Sequence, residues 1–195
     1  MSDDIPGSTF IEGERVRLKT VEEGDFDFLR NNINDARIRR AMLGAGPTNT
    51  RQLRNNHTEE RDYQFVIATA DSRVGYISIH DVSYTHGTAA ISYWVAPEKQ
   101  GQGHATEAIQ LLVQYAFDQL RLHKLRADVR EFNNPSRRVL EKIGFKHEGV
   151  LRESRYVDGE YWHRHRYGVL RHEWDATTVE CQEVSTTGEW GDSPD

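Results

Sequence analysis

The segment Gln100-Gly101-Gln102-Gly103-His104-Ala105 sets two glycines one residue apart, just ahead of a run with helical periodicity. A strand, a short glycine-bearing loop and a helix start are the parts that hold a pyrophosphate. Loop N–H groups converge on the anion, and the helix N-terminus adds about half a positive charge. Gly101 and Gly103 let the backbone approach a ligand closely, where a Cβ would obstruct it. The same pair also suits a plain turn between strand and helix. Two other cradles are excluded by the residues themselves. There is no Gly-Lys-Ser/Thr of a nucleotide P-loop, and Thr106 stands where G-x-G-x-x-G needs its third glycine.

Such a loop works only if its flanks hold it. Ala90-Ile91-Ser92-Tyr93-Trp94-Val95, closed by Pro97, reads as a strand, with Tyr93 and Trp94 on opposite faces and Trp94 in the core. Ile109, Leu112, Val113, Ala116, Phe117 and Leu120 then recur at the spacing of a helix burying one face. Upstream, residues 15–20 alternate as a strand. Thr20, with Glu23 three residues on, has a capping-box spacing for a helix bearing Phe26 and Leu29. Residues 50–60 suggest a second, short helix. Strands are expected over 64–70, 74–82, 88–95, 124–130, 145–152 and 163–171, with hairpin chemistry at Asp71-Ser72, His86-Gly87 and Asp158-Gly159. A short helix over 136–143 ends at Gly144. The pattern is α+β.

Several motifs, in order, carry a resemblance. Gln100-x-x-Gly103-x-Ala105 resembles the Gln/Arg-x-x-Gly-x-Gly/Ala signature of the GNAT superfamily of N-acetyltransferases. The continuation through Thr106-Glu107-Ala108 resembles the subgroup that acetylates N-termini of ribosomal proteins. Asn133-x-x-Ser136, Leu140-Glu141-Lys142-Ile143-Gly144-Phe145, Glu148-Gly149-x-Leu151-Arg152 and Tyr167-Gly168-Val169-Leu170 continue the match to Glu173-Trp174. The resemblance covers about residues 10–174. It implies the acyl-CoA N-acyltransferase fold, a mixed sheet of about seven strands flanked by about four helices.

It also implies a chemistry: direct attack of an amine on the thioester of acetyl-CoA, with no metal. The main chain of Gly101 to Ala105 would take the pyrophosphate, with Gln100, Gln102, Gly103, His104 and Thr106 completing the cofactor loop. Tyr93, Trp94 and Val95 would pair with the pantetheine arm, and the Val95 N–H would stabilise the oxyanion. Asn133 would bond the pantetheine or fix its loop. Relatives' tyrosine acid is replaced here by Leu140, which leaves Ser136 as the hydroxyl for the departing thiolate. Its bland alternative is the helix N-cap. The usual glutamate base is absent at Ala90. His163, Glu148 and Glu153 are the candidates in its place, with water-mediated deprotonation as the default. A site without a strong base favours an α-amino group, with a pKa of about 7.7–8.0, over a lysine at about 10.4.

Composition sets the frame. The chain of 195 residues has 25 Lys and Arg against 31 Asp and Glu, a net charge of −6. Residues 175–195 alone carry −6, and residues 1–14 carry −4; both ends are expected to be disordered, leaving one domain over 14–174. Residues 15–174 therefore hold 25 bases against 21 acids. That suits a polyanionic small ligand better than a nucleic acid. No membrane span or signal sequence is legible, and Cys181 is alone, so cytoplasmic localisation is expected. His163, His165 and His172 could suggest a metal, but Arg164 and Arg166 between them would repel a cation. Tyr156, Tyr161 and Trp162 could wall an acceptor pocket or pack their hairpin. The partners expected are acetyl-CoA and an amine, a protein N-terminus first and an aminoglycoside or polyamine second, with a homodimer compatible. The rival reading is a non-catalytic acyl-CoA-binding module.

Overall fold

A computed structural model describes residues 5–42, 46–57 and 63–174. Its strands are β1 (Thr9–Glu12), β2 (Arg17–Thr20), β3 (Tyr63–Ala68), β4 (Arg73–Ser83), β5 (Thr88–Val95), β6 (Lys124–Arg130), β7 (Lys146–Val157) and β8 (Glu160–Leu170). Helices α1 (Phe26–Ile33), α2 (Ala36–Ala41) and α3 (Thr50–His57) fall between β2 and β3. Helix α4 (His104–Asp118) follows β5, and α5 (Asn134–Lys142) follows β6. The strands form one sheet in the order β1-β2-β3-β4-β5-β6-β8-β7. Every pairing is antiparallel except β5 with β6.

Both faces of the sheet are covered. On one, Ile109, Leu112, Val113, Ala116 and Phe117 of α4 meet Ile77, Ile79, Ile91, Leu125 and Val129 in the main core. On the other, Trp94 joins Phe26, Leu29, Ile38 and Leu53 from α1, α2 and α3 in a second cluster. Trp94 stacks on Tyr76 and meets Phe28, so the aromatic pair on β5 does divide between the two faces. Asp25, fully buried, anchors the α1 end through Arg73 at 2.6 Å and accepts the Glu22 N–H.

Three expectations need correction. Thr9–Glu12, expected to be disordered, form an edge strand on β2, where Phe10 stacks on Phe65 at 5.3 Å. Four residues are too few to show a period, and their order comes from the strand beside them. This gives eight strands, and α2 makes five helices, among the described residues. The capping box lies at Glu22 and Asp25, with Thr20 accepting instead from the Ser8 N–H. Residues 1–4 and the acidic 175–195 lie outside the described residues.

Two bulges aim side chains. In β4 the register slips between His80 and Ser83 at Asp81, whose φ is +53°. In β7 it slips between Leu151 and Arg155 around Glu153, φ +47°. An extra residue on one strand re-aims its neighbours, which is why bulges gather near sites.

Candidate active site

β5 and β6 pair only over Thr88–Ala90 and Lys124–Arg126. Beyond that they part, and a cavity of about 840 Å³ fills the gap. It is lined by Arg37, Ile38 and Met42 from the α2 side and by Ser136, Val139 and Lys142 from α5 on the opposite face. The opening therefore runs through the sheet.

The α5 side is built largely from main chain. The Ala96 N–H bonds the Val74 carbonyl, so the Gly75–Val95 pair is a non-hydrogen-bonded one. Val95 thus turns its own N–H and C=O away from β4, toward the gap, and by alternation Tyr93 does the same. The Val95 carbonyl is taken by Gln100 Nε2 at 2.9 Å, which ties the loop to the strand end. Gly101 (φ +77°) and Gly103 (φ +86°) are left-handed, the conformation for which glycine is needed. A Cβ at Gly101 would meet nothing within 4 Å; at Gly103 it would come 3.1 Å from Arg15 Nη1. Backbone conformation therefore fixes these glycines more than crowding does. Gly103 is the N-cap of α4, so the free N–H groups of its first turn face the cavity edge. His104 is buried with Nδ1 against the Lys99 carbonyl at 3.2 Å, and Thr106 lines the cavity. Gln102 is exposed and outside the lining. Three cations not singled out from the sequence, Lys99, Arg138 and Lys142, edge this half, where phosphates would be neutralised.

Asn133, not Ser136, caps α5: its side chain accepts the Ser136 N–H at 3.3 Å. That leaves the Ser136 hydroxyl free of the cap, and it meets Tyr93 Oη at 2.6 Å. Burial pushes the Tyr93 phenol up to about 12, against the opposing effect of the Ser136 hydrogen bond. A phenol so held stays protonated. Leu140, at the position where the family resemblance implies a tyrosine, is fully buried core. The tyrosine hydroxyl reaches Ser136 from β5 instead, a cross-element contact that no local motif displays.

The α2 side is built from charged and polar side chains. His80 sits opposite Ala90 in the β4–β5 register, beside the position where the usual glutamate is missing. Its Nε2 lies 2.7 Å from Ser92 Oγ and its Nδ1 3.6 Å from Asp81 Oδ2, and all three residues line the cavity. Arg126 pairs with Asp81 at 2.5 Å. Asp128 is held by Arg166 through both oxygens, at 3.0 and 3.1 Å, and by Arg164 at 3.4 Å. Burial opposes ionisation of Asp128, but the Arg166 hydrogen bonds and the surrounding guanidinium charges hold its carboxyl below the usual range.

None of the three bases expected from the sequence lines this cavity. Glu148 is ion-paired to Lys124 at 2.6 Å, and the Glu153 N–H donates to His163 Nδ1 at 2.9 Å. Tyr156 and Tyr161 pack on each other at 5.0 Å at the hairpin tip, and Trp162 meets Phe132 edge-on. His165 contacts His147 at 3.0 Å, and no cluster of three or more metal-binding side chains occurs among the described residues.

Comparison with known proteins points one way. The family model described as Acetyltransferase (GNAT) domain matches residues 15–146. The putative ribosomal N-acetyltransferase YdaF of Bacillus subtilis (strain 168) is 38% identical over 104 residues, 53% of this chain and only 57% of that protein. The structure of spermidine N-acetyltransferase from Vibrio cholerae in complex with CoA and spermine superposes with a TM-score of 0.77 at 28% identity, covering 82% of this chain and 97% of that one. Mycobacterium smegmatis RimJ in complex with CoA-disulfide gives 0.74 at 27% identity, covering 84% and 88%.

Proposed function

The chain belongs to the GNAT acetyltransferase family, and on that premise we propose that it transfers the acetyl group of acetyl-CoA to a protein N-terminal amine by direct attack. The observation that carries the reading is the convergence of the Val95 N–H and the Tyr93–Ser136 hydroxyl pair at the end of the loop, across the gap from His80.

Each group has a task. The Gly101–Ala105 main chain and the start of α4 hold the pyrophosphate, with Lys99, Arg138 and Lys142 neutralising charge at its edge. The N–H groups of Tyr93 and Val95, turned away from β4, align the pantetheine amides. The Val95 N–H donates to the thioester oxygen as it becomes an oxyanion. Ser92 accepts the amine proton and passes it to His80, which Asp81 orients. The nitrogen lone pair forms the amide bond while the carbon–sulfur bond breaks. Ser136, held in place by the Tyr93 hydroxyl, donates a hydrogen bond to the departing thiolate, which takes up through solvent a proton equivalent to the one the amine gave to His80.

Both a ribosomal acetyltransferase and a spermidine acetyltransferase stand among the relatives, so the acceptor is read from the acceptor side itself. Arg126, Arg164 and Arg166 face Asp81 and Asp128 there, a surplus of positive charge that repels a polycation and suits an α-amine. The proposed chemistry calls on no metal, and its expected setting is the cytoplasm. No described helix is long and apolar enough to cross a membrane.

The test is thiol release from acetyl-CoA with peptides beginning in Ser, Ala or Thr, with spermidine, with aminoglycosides and with no acceptor. Release that depends on the peptides supports the reading, and release only with spermidine replaces it. Tight CoA binding without release in any arm would mean a binding module.

A further inference from the structure

We propose that the acceptor bears an anionic group, a carboxylate or a phosphate, that seats against Arg130, Arg155 and Arg164, next to the Asp128–Arg166 pair on the acceptor side. The inference rests on the acetyltransferase reading and narrows its substrate class.

Arg130 on β6 and Arg164 on β8 are direct register partners, two residues beyond the Asp128–Arg166 pair. Arg130 is only 4% exposed. Its Nη2 donates to the Met42 carbonyl after α2, but its Nε and Nη1 are buried with no partner. Arg164 Nε, Arg155 Nε and Ser154 Oγ share that condition. Ser154 and Arg155 belong to the β7 bulge, on the strand adjoining β8. A guanidinium keeps its charge at any ordinary pH, so its burial calls for a counter-charge. Burial depresses the proton affinity of both Arg130 and Arg164; Asp128 opposes this at Arg164, and the nearby Arg155 charge adds to it at both. The neighbouring carboxylate, Asp128, is bonded through both oxygens to Arg166 and meets Arg164 only at Nη1, 3.4 Å away, which leaves the Arg164 Nε unmet. Several donors thus lack the acceptor that buried donors almost always have.

The place is right for a substrate group. Arg164 lines the main cavity, while Arg130 lines a second one of about 940 Å³ between α2 and the β7–β8 tip, shared with Arg40, Phe132 and Tyr156. The two cavities share Arg37, Ala41 and Asn133, and the Arg130–Arg164 register pair gives one arginine to each. From the Asp128–Arg166 row to the Arg130–Arg164 row is two residues of strand, about 7 Å. An amine beside the first row and an acidic side chain one or two residues along the same peptide span that distance.

The experiment uses the full chain with CoA bound. Calorimetry compares the hexapeptide Ser-Asp-Glu-Ala-Ala-Ala with its Asn-Gln counterpart, its Lys-Lys counterpart and a phosphoserine version. The acidic peptide is expected to bind at least about tenfold more tightly than the amide one. That preference should shrink with added salt, and collapse in Arg155→Gln and Arg164→Gln proteins of unchanged melting temperature. The phosphoserine arm tells phosphate from carboxylate. Equal affinity for the acidic and amide peptides, or tighter binding of the lysine one, overturns the proposal; so does an acidic preference that survives both substitutions. Thiol release with the same peptides separates the two readings. Turnover without charge preference removes the anion subsite and keeps the acetyltransferase, whereas charge-selective binding without turnover does the reverse.

Discussion

The two sides of the gap between β5 and β6 are made of different materials. On the α5 side, ligand-facing groups are main-chain N–H donors held by a left-handed glycine loop, an N-cap and a strand end. On the α2 side they are side chains from β4, β5, β6 and β8, set by register and two bulges. A cofactor that is always the same molecule can be bound by backbone geometry. An acceptor that differs among relatives calls for groups that substitution can exchange.

The contrast can be broken by substitution. Gly103→Glu forces a side chain onto a φ of +86° beside Arg15 and adds negative charge at the cradle. CoA affinity should fall by at least about a hundredfold, or about 2.7 kcal/mol, in calorimetry; near-normal affinity would mean that the cradle lies elsewhere. Tyr93→Phe removes only a hydroxyl, so CoA binding should hold while kcat falls about ten- to a hundredfold. Ser136→Ala should do the same, and the double variant should lose little more than either single one. Because the Tyr93 phenol is pushed up to about 12, the wild-type to Tyr93→Phe rate ratio should stay flat from neutral pH to mildly alkaline pH. The sign for stability follows: an unfolded tyrosine ionises first, near 10, so the fold loses stability between about pH 10 and 12. Tyr93→Phe should remove that loss in alkaline melts.

Smaller effects sharpen the contrast. His80→Gln should lower kcat/KM about tenfold, least at high pH, where the amine is already neutral. An unchanged rate at every pH would return deprotonation to solvent. Thr106→Ala should weaken CoA binding by less than about threefold, because the backbone on that side carries the affinity. A tenfold loss there would contradict the division of materials.

The same division decides what could be read from the sequence. The loop, α4 and α5 are local features: two glycines, a helical period, and an Asn-Asn-Pro start with Gly144 at the end. Seven of the strands were legible from alternation and turn residues. Thr9–Glu12 was not, since four residues ordered by a neighbour carry no signal of their own. Nor were the facing groups. That Tyr93 would reach Ser136, 43 residues away, or that His80 would stand opposite Ala90, depends on pairing across elements. His163, Glu148 and Glu153 were plausible by residue type, but register turned them to other partners.

The opening through the sheet has a kinetic consequence. In the proposed reaction donor and acceptor would reach the reacting centre from opposite faces of the cavity, so neither would block the other's path in or out. Steric access then imposes no obligatory order of addition. Double-reciprocal plots should intersect, and each product should inhibit competitively against the substrate that shares its portal. Coenzyme would leave on the α5 side while the acetylated chain is released on the α2 side. Turnover could then be limited by whichever portal empties last.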